Sequence, residues 1–283
     1  MTPVPLARIM VEPLVRAALL EDLGHAGDLT TDAIVPAGLS ARAAMVARET
    51  GVVAGLVLAK LAFELIDPDI AMQVEIDDGA TVTTGGVIAR VSGPARGILM
   101  AERTALNFLG HLSGIASATA SIVAAVRGTK AKIVCTRKTT PGLRAVEKYA
   151  VRAGGGANHR FGLDDAILIK DNHIAVAGGI AQALRRVHAA AGHLVKIEVE
   201  VDNLDQLKEA LGEGVDAVLL DNMGFETLAK AVAMVDGRAT TEASGRVTPK
   251  SAPALAATGV DLISIGWLTH SAAVLDVGLD FEA

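Results

Sequence analysis

KIEVEVDNLDQLKEALGEGVDAVLLDNMGFETLAKAVAMV, residues 196–235, decides the fold. It holds two short strand-like runs, KIEVEV (196–201) and AVLLD (217–221). Each is followed by a segment of helical period, LDQLKEAL (204–211) and FETLAKAVAMV (225–235). Strands that alternate with helices build right-handed βαβ units on a parallel sheet. The pattern extends in both directions. KIVCT (132–136) and AILIK (166–170) come before it, and ATTEAS (239–244) and LISIG (262–266) come after. PGLRAVEKYAVRAG (141–154), IAQALRRVHAAAG (180–192) and PKSAPALAAT (249–258) supply helices between them. About six such units predict a closed or nearly closed α/β barrel. An open doubly wound sheet is the alternative.

The first third reads differently. Residues 5–22 form an amphipathic helical pattern and GLVLAKLAFELI (55–66) a second one. AMQVEID (71–77) alternates, with Met72, Val74 and Ile76 on one face and Gln73, Glu75 and Asp77 on the other. Glycine turns between β-branched runs in DDGATVTTGGVIARVSG (77–93) predict short antiparallel strands. From Pro94 to Val126 the period is helical. An α+β unit is therefore expected ahead of the barrel.

Composition narrows the partners. The 283 residues are 51% hydrophobic and only 20% charged, so a large core is expected rather than disorder. Aromatics are 2% and the net charge is -6, which argues against a nucleic-acid binder. Cys135 is the only cysteine, which excludes an intrachain disulfide and fits a reducing compartment. The first 24 residues mix Arg8, Glu12 and Arg16 into their apolar positions and read as a surface helix, not a signal peptide. Residues 109–126 carry His111, Ser113, Ser117, Thr119 and Ser121, too polar for a convincing membrane span. A soluble, cytoplasmic protein without a membrane partner is expected.

Each barrel run ends in a chemically capable or small residue. The ends are Thr136, Arg137 and Lys138; Lys170; Glu200 with Asp202; Asp221; Ser244 with Gly245; and Gly266. Strand C-termini of α/β barrels converge on the active-site face. Charges beside buried strands are costly unless paired or used. His159 and Arg160 follow three glycines, which let backbone approach a ligand closely. The planar fork of Arg160 matches a carboxylate or phosphate. Lys170 ends an apolar strand, and two roles compete for it: a cation for an anionic substrate, or a Schiff-base amine. Glu198, Glu200 and Asp202 share one strand face, with a structural ion pair as the competing reading for Glu198. Carboxylates beside cations either neutralise them or hold a hard metal such as Mg²⁺. Together these residues specify an anionic ligand that carries a phosphate.

TRKTTPGLR (136–144), KYAVRAGGGANHRFGL (148–163) and LIKDNH (168–173) resemble the signature of the quinolinate phosphoribosyltransferase family. The resemblance continues through EDLG (21–24), RETGVVAGL (48–56), AERTALNFLGHLSGIA (101–116), EVEVD (198–202), LLDN (219–222), EASG (242–245) and LTHS (268–271). It implies an N-terminal α/β sandwich domain over residues 1–113, joined by the tail 270–283, and a barrel domain over 114–269. It implies transfer of a phosphoribosyl group from phosphoribosyl pyrophosphate to quinolinate with loss of CO₂, in NAD biosynthesis. It also implies Mg²⁺ and a homodimer, or a higher assembly, whose active sites are shared between subunits.

By motif, Arg103 (from the partner subunit), Arg137, His159, Arg160 and Lys170 fall on quinolinate. Lys138, Glu200 and Asp221 fall on phosphoribosyl pyrophosphate, and Thr136 is a further expected substrate-binding residue. Glu200 and Asp221 are the expected metal ligands, directly or through water. Lys138, Lys170, Glu200 and Asp221 are the expected catalytic groups, and no general base is required. The phosphate loops fall on Ser244, Gly245, Arg246 and Val247 and on Gly266, Trp267 and Leu268. Arg246, where the family often has glycine, and Trp267, where it often has alanine, depart from the pattern. The rival readings are a molybdenum-transport-associated homologue of the same fold and a Schiff-base aldolase using Lys170.

Overall fold

The computed structural model describes residues 4–282. In chain order the first elements are α1 (Arg8–Leu23), α2 (Leu29–Ile34), β1 (Ser40–Ala47), β2 (Gly51–Val52), α3 (Leu56–Ile66), β3 (Ala71–Val74), β4 (Thr81–Val82), β5 (Val87–Pro94) and α4 (Ala95–Ala125). There follow β6 (Lys132–Val134), α5 (Arg144–Ala153), β7 (Ile167–Ile169), α6 (Asp171–Ala177), α7 (Ile180–Ala190), β8 (Ile197–Val201) and α8 (Leu204–Glu213). The last are β9 (Ala217–Asp221), α9 (Phe225–Val235), β10 (Thr240–Ser244), α10 (Ala252–Ala257), β11 (Leu262–Ser264), α11 (Trp267–His270) and β12 (Val277–Phe281). Two compact units divide the chain. One takes the N-terminal part to Ala120, Thr139–Gly155 and the chain from Leu268 onward; the other takes Ser121–Lys138 and Gly156–Trp267.

The first unit is built on an antiparallel sheet ordered β12-β1-β5-β3. β3 is an edge strand, so its alternation buries little: Met72 and Ile76 are half-buried and Val74 is exposed. β4 does not extend this sheet, as the turn-rich sequence suggests; it pairs with β2. Helix α1 buries Val11, Val15 and Leu19, one stripe at a spacing of four, and packs on α3.

The polar residues along α4 are structural. The Ser113 hydroxyl accepts from the Ala54 amide at 2.9 Å and Ser117 accepts from the Val52 amide at 2.8 Å, anchoring the segment around β2 to the helix. By length and composition α4 is the one helix among the described residues that reaches a membrane span, and half of its most apolar window is buried within the fold. Helix α5 also belongs to this unit. Its Glu147 is fully buried, accepting from the Thr140 amide at 3.0 Å and lying 3.1 Å from His111 Nε2, and Tyr149 donates to Asp78 at 2.7 Å. The periodicity that places a helix after β6 does not reveal this, because burial on nearly every side needs tertiary partners that no local pattern encodes.

The second unit is a six-stranded parallel sheet ordered β6-β11-β10-β9-β8-β7. From β7 to β11 chain neighbours are sheet neighbours, and β6 then pairs with β11. That is barrel order, and it excludes the doubly wound alternative, in which the order reverses at a switch point. The ring is open at one seam, since β6 and β7 are not paired with each other. At β6 the free edge is taken by Ala157, whose amide donates to Ile133 O at 2.8 Å and whose carbonyl accepts from Cys135 N at 3.2 Å.

In the first unit, the C-terminal tail lies against the glycines of α4. Leu275 N donates to Gly110 O at 3.0 Å, and a β-carbon on Gly114 would collide with the carbonyl oxygen of Ala273. Neither partner is a flexible side chain, so the strain falls on backbone. Gly114→Ala is expected to destabilise the fold by about 1–3 kcal/mol, read as a lower denaturation midpoint in urea; an unchanged midpoint contradicts this packing.

Candidate active site

Register determines which side chains share the barrel face. Directly paired residues of parallel strands point to the same side, and the side alternates along each strand. Leu168 pairs with Glu198, Glu200 and Glu242 both pair with Leu219, and Asp221 pairs with Ser244. Leu262 pairs with Glu242 and with Lys132, and Ser264 with Val134. One face therefore carries Glu198, Glu200, Asp221, Glu242, Ser244 and Ser264. Alternation carried one residue past β7 and two past β6 adds Lys170 and Thr136.

At the C-terminal ends of these strands the site takes form. Lys170 Nζ stands 3.7 Å from Glu200 Oε2, an ion pair half open to solvent on the lysine side and worth little on its own. Burial raises the Glu200 carboxyl above its ordinary value; the Lys170 charge opposes this, and Asp221 adds to it. Two half-buried carboxylates on adjacent strands, repelling each other, form a hard oxygen donor set of the sort that suits Mg²⁺. Asn222 steadies Asp221 with a 2.7 Å bond from its amide nitrogen to Oδ2, and its backbone amide donates to Ser244 O at 3.1 Å.

The loops after β10 and β11 are tied together. Trp267 Nε1 donates to Val247 O at 2.8 Å, so the residue that departs from the family pattern links one loop to the other. Gly245 has φ 107°, and a β-carbon there would collide with Asn222 Oδ1. Arg246 follows with φ 41°, a left-handed conformation that an arginine adopts only at some cost and that glycine would take freely. Thr136 Oγ1 accepts from Lys138 N at 3.0 Å, turning the chain so that the Lys138 stem lies over Gly266.

The seam of the barrel holds the arginines. Arg137 and Arg160 are both half-buried, and the Nε atom of each is buried without a hydrogen-bond partner. Burial, and then the Arg137 charge, push the Arg160 guanidinium below its ordinary value, while Glu198 and Asp165 oppose the shift. Arg160 Nη1 donates to Ala166 O at 3.0 Å, which aims the rest of the fork. Two guanidiniums with unsatisfied buried donors call for anionic acceptors.

Arg103 lies in the other compact unit, on α4, lining a cleft of about 360 Å³ with Glu21, Asp22, Asn107 and His111 among others. Leu268 is likewise in that unit, fully buried. The remaining expected site residues, from Thr136 to Trp267, all belong to the barrel unit.

Sequence reasoning missed Glu242. It is 1% exposed, and its Oε1 lies 3.7 Å from His159 Nε2 with no hydrogen-bond partner. Burial and the neighbouring Glu198 charge push its carboxyl up, to about 7. The signal is present in Thr240, Glu242 and Ser244, which alternate like Glu198 and Glu200, but Glu242 lies two residues before the strand end at Ser244.

A cationic and acidic face at the strand ends of a parallel α/β barrel defines an enzyme site for anionic ligands. Residues 28–113 match the model of the quinolinate phosphoribosyl transferase N-terminal domain, and residues 115–280 that of its C-terminal domain. The chain belongs to the quinolinate phosphoribosyl transferase family. It is 49% identical over 271 residues to the carboxylating nicotinate-nucleotide pyrophosphorylase of Mycobacterium leprae, covering 94% of this chain and 95% of that one. It is 44% identical to the probable enzyme of that name from Bacillus subtilis, covering 96% and 93%. The crystal structure of NadC from Streptococcus pyogenes superposes with a TM-score of 0.94 at 41% identity, covering 99% of this chain and all of that one.

The buried acid gives a pH test. A carboxyl whose value rises on folding stabilises the fold only while protonated. That contribution is complete below the ordinary glutamate range and is lost as pH climbs toward about 7. Glu242→Gln removes the titration. The melting temperature of the variant relative to the unsubstituted chain is expected to increase between pH 5 and pH 8; a constant difference contradicts the assignment.

Proposed function

We propose that this chain catalyses transfer of the phosphoribosyl group of phosphoribosyl pyrophosphate to quinolinate, with release of pyrophosphate and CO₂ and formation of nicotinate mononucleotide. Family membership supports the reaction class. The observation that carries the substrate is the pair of buried, unpartnered guanidinium nitrogens of Arg137 and Arg160. They suit a ligand with two adjacent carboxylates. Arg137, Arg160 and Lys170 are assigned to quinolinate, with Arg103 reaching it from a partner subunit of a homodimer. Thr136, Lys138, Glu200 and Asp221 are assigned to phosphoribosyl pyrophosphate. The loops Ser244–Val247 and Gly266–Leu268 are assigned to its phosphates. A cytoplasmic location accords with the single buried cysteine.

In this reading the protein positions and stabilises. The pyridine nitrogen displaces pyrophosphate at the anomeric carbon through an oxocarbenium-like transition state, which the carboxylates of Glu200 and Asp221 stabilise. Glu200 and Asp221 would hold Mg²⁺, which when bound neutralises charge on the departing pyrophosphate. Lys138, on the same side as Gly266, adds a cation to the phosphate region. The alkylated ring then accepts the electrons released as the adjacent carboxylate leaves as CO₂, and the ring carbon it leaves takes a proton from water. The guanidiniums of Arg137 and Arg160 hold the ring in place, so no general base is required. The neighbouring guanidiniums of Arg137 and Arg160 suit a dianionic substrate better than a Schiff-base role for Lys170.

Two measurements test the reading. Purified protein given quinolinate, phosphoribosyl pyrophosphate and Mg²⁺ is expected to release CO₂ and form nicotinate mononucleotide, and a chelator is expected to stop it. Efficient use of nicotinate in place of quinolinate would overturn the assignment. Arg103→Ala and Lys170→Ala variants, each nearly inactive, are expected to regain about a quarter of full activity when mixed and allowed to exchange subunits, the yield of random pairing in a closed dimer. Verified exchange without recovery places Arg103 in its own chain's site.

A further inference from the structure

The imidazole of His159 sits at the barrel seam with both ring nitrogens engaged. The Arg160 backbone N–H donates to His159 Nδ1 at 2.7 Å. A ring nitrogen that accepts carries no hydrogen, so the ring proton lies on Nε2. Nε2 faces Glu198 Oε2 at 2.9 Å and Glu242 Oε1 at 3.7 Å. The side chain is 13% exposed, and both carboxylates are buried. Neither nitrogen is left to donate to a ligand at the barrel mouth.

We propose that His159 is a positioning residue. Held as the Nε2–H tautomer by its hydrogen bond to Glu198, it fixes the backbone of Arg160 and acts on the substrate dicarboxylate through the Arg160 guanidinium, without touching the dicarboxylate itself. The proposal rests on the reading that Arg160 binds quinolinate.

The surrounding geometry shows what such a bracket accomplishes. Glu198 stands on β8, so the imidazole ties the segment before Arg160 to that strand, while Glu242 on β10 lies 3.7 Å from the same nitrogen without a hydrogen bond. The preceding residues are fastened to β6 and its end: Ala157 pairs with it, and Cys135 Sγ donates to Asn158 Oδ1 at 3.4 Å. After the ring, Arg160 Nη1 reaches Ala166 O. Residues 157–160 thus close the open seam with a bond at every position. An arginine on a loop otherwise has many rotamers, and ordering them on binding weakens affinity. Fixing its backbone in advance removes part of that cost, much as outer-shell partners orient the ligands of a metal site.

The experiment uses ¹⁵N-histidine-labelled protein, with the His159 signals identified by their absence from His159→Gln. The neutral Nε2–H pattern is expected with and without quinolinate; an imidazolium, or a switch of tautomer when quinolinate binds, overturns the proposal. Calorimetric quinolinate affinities then complete a double-mutant cycle. His159→Gln is expected to weaken binding about tenfold and to leave phosphoribosyl pyrophosphate binding unchanged. Arg160→Ala and the double variant are expected to agree within about twofold, because His159 acts only through Arg160. Losses that multiply show an independent contact and sink the positioning role. A chain that binds no quinolinate refutes the functional reading, while the tautomer measured without ligand still decides whether the bracket exists.

Discussion

Parallel pairing at a fixed register is the constraint on which the barrel unit depends. Because Glu200 and Glu242 both align with Leu219, and Asp221 with Ser244, side chains from distant parts of the chain meet on one face. A slip of one residue would turn every one of them to the opposite side of the sheet. The apolar partners hold the register: Val199, Val201, Val218, Leu220, Ala243 and Ile263 are all buried on the alternate face. Hydrophobic burial thus fixes the site's chemistry through parity alone.

Much of this was legible in the sequence, and the reasons are local. AVLLD and FETLAKAVAMV become β9 and α9 with the expected ends, because their periods are unambiguous and glycine or a charge bounds them. KIVCT yields a strand only to Val134, since from Cys135 the backbone bonds to Ala157 and then turns. What periodicity does not carry is partner choice. β4 pairs with β2 and not with its chain neighbour β5, and α5 belongs to the first unit, because both outcomes depend on contacts far apart in the sequence. The candidate site divides in the same way. Cations and carboxylates at strand ends can be read from composition against burial. Glu242 lies in mid-strand, and its meaning depends on the approach of His159 from more than eighty residues away.

The two departures from the family pattern are of different kinds. Trp267 gains a bond, its indole nitrogen donating to the backbone of the neighbouring loop. Arg246 incurs backbone strain at φ 41° and makes no hydrogen bond or ion pair that the structure records among its described residues. Its side chain is exposed beside loops assigned to phosphate, so a long-range attraction for anions is the evident physical return.

The pairing of β12 with β1 has a consequence for synthesis. Ala43 aligns with Phe281, so the sheet of the first unit joins residues more than two hundred positions apart. As the polypeptide emerges, β1 and β5 are available early, but the far edge of β1 stays open until Val277–Phe281 has been made. The glycine face of α4 waits equally long for the Ala273–Leu275 segment that lies on it. The barrel strands, all complete by Ser264, need nothing from that tail for their own hydrogen bonds. The part of the molecule that comes first in the sequence is therefore the part whose sheet is completed after the barrel, and a nascent chain carries an unpaired edge on β1 until residues 277–281 have followed.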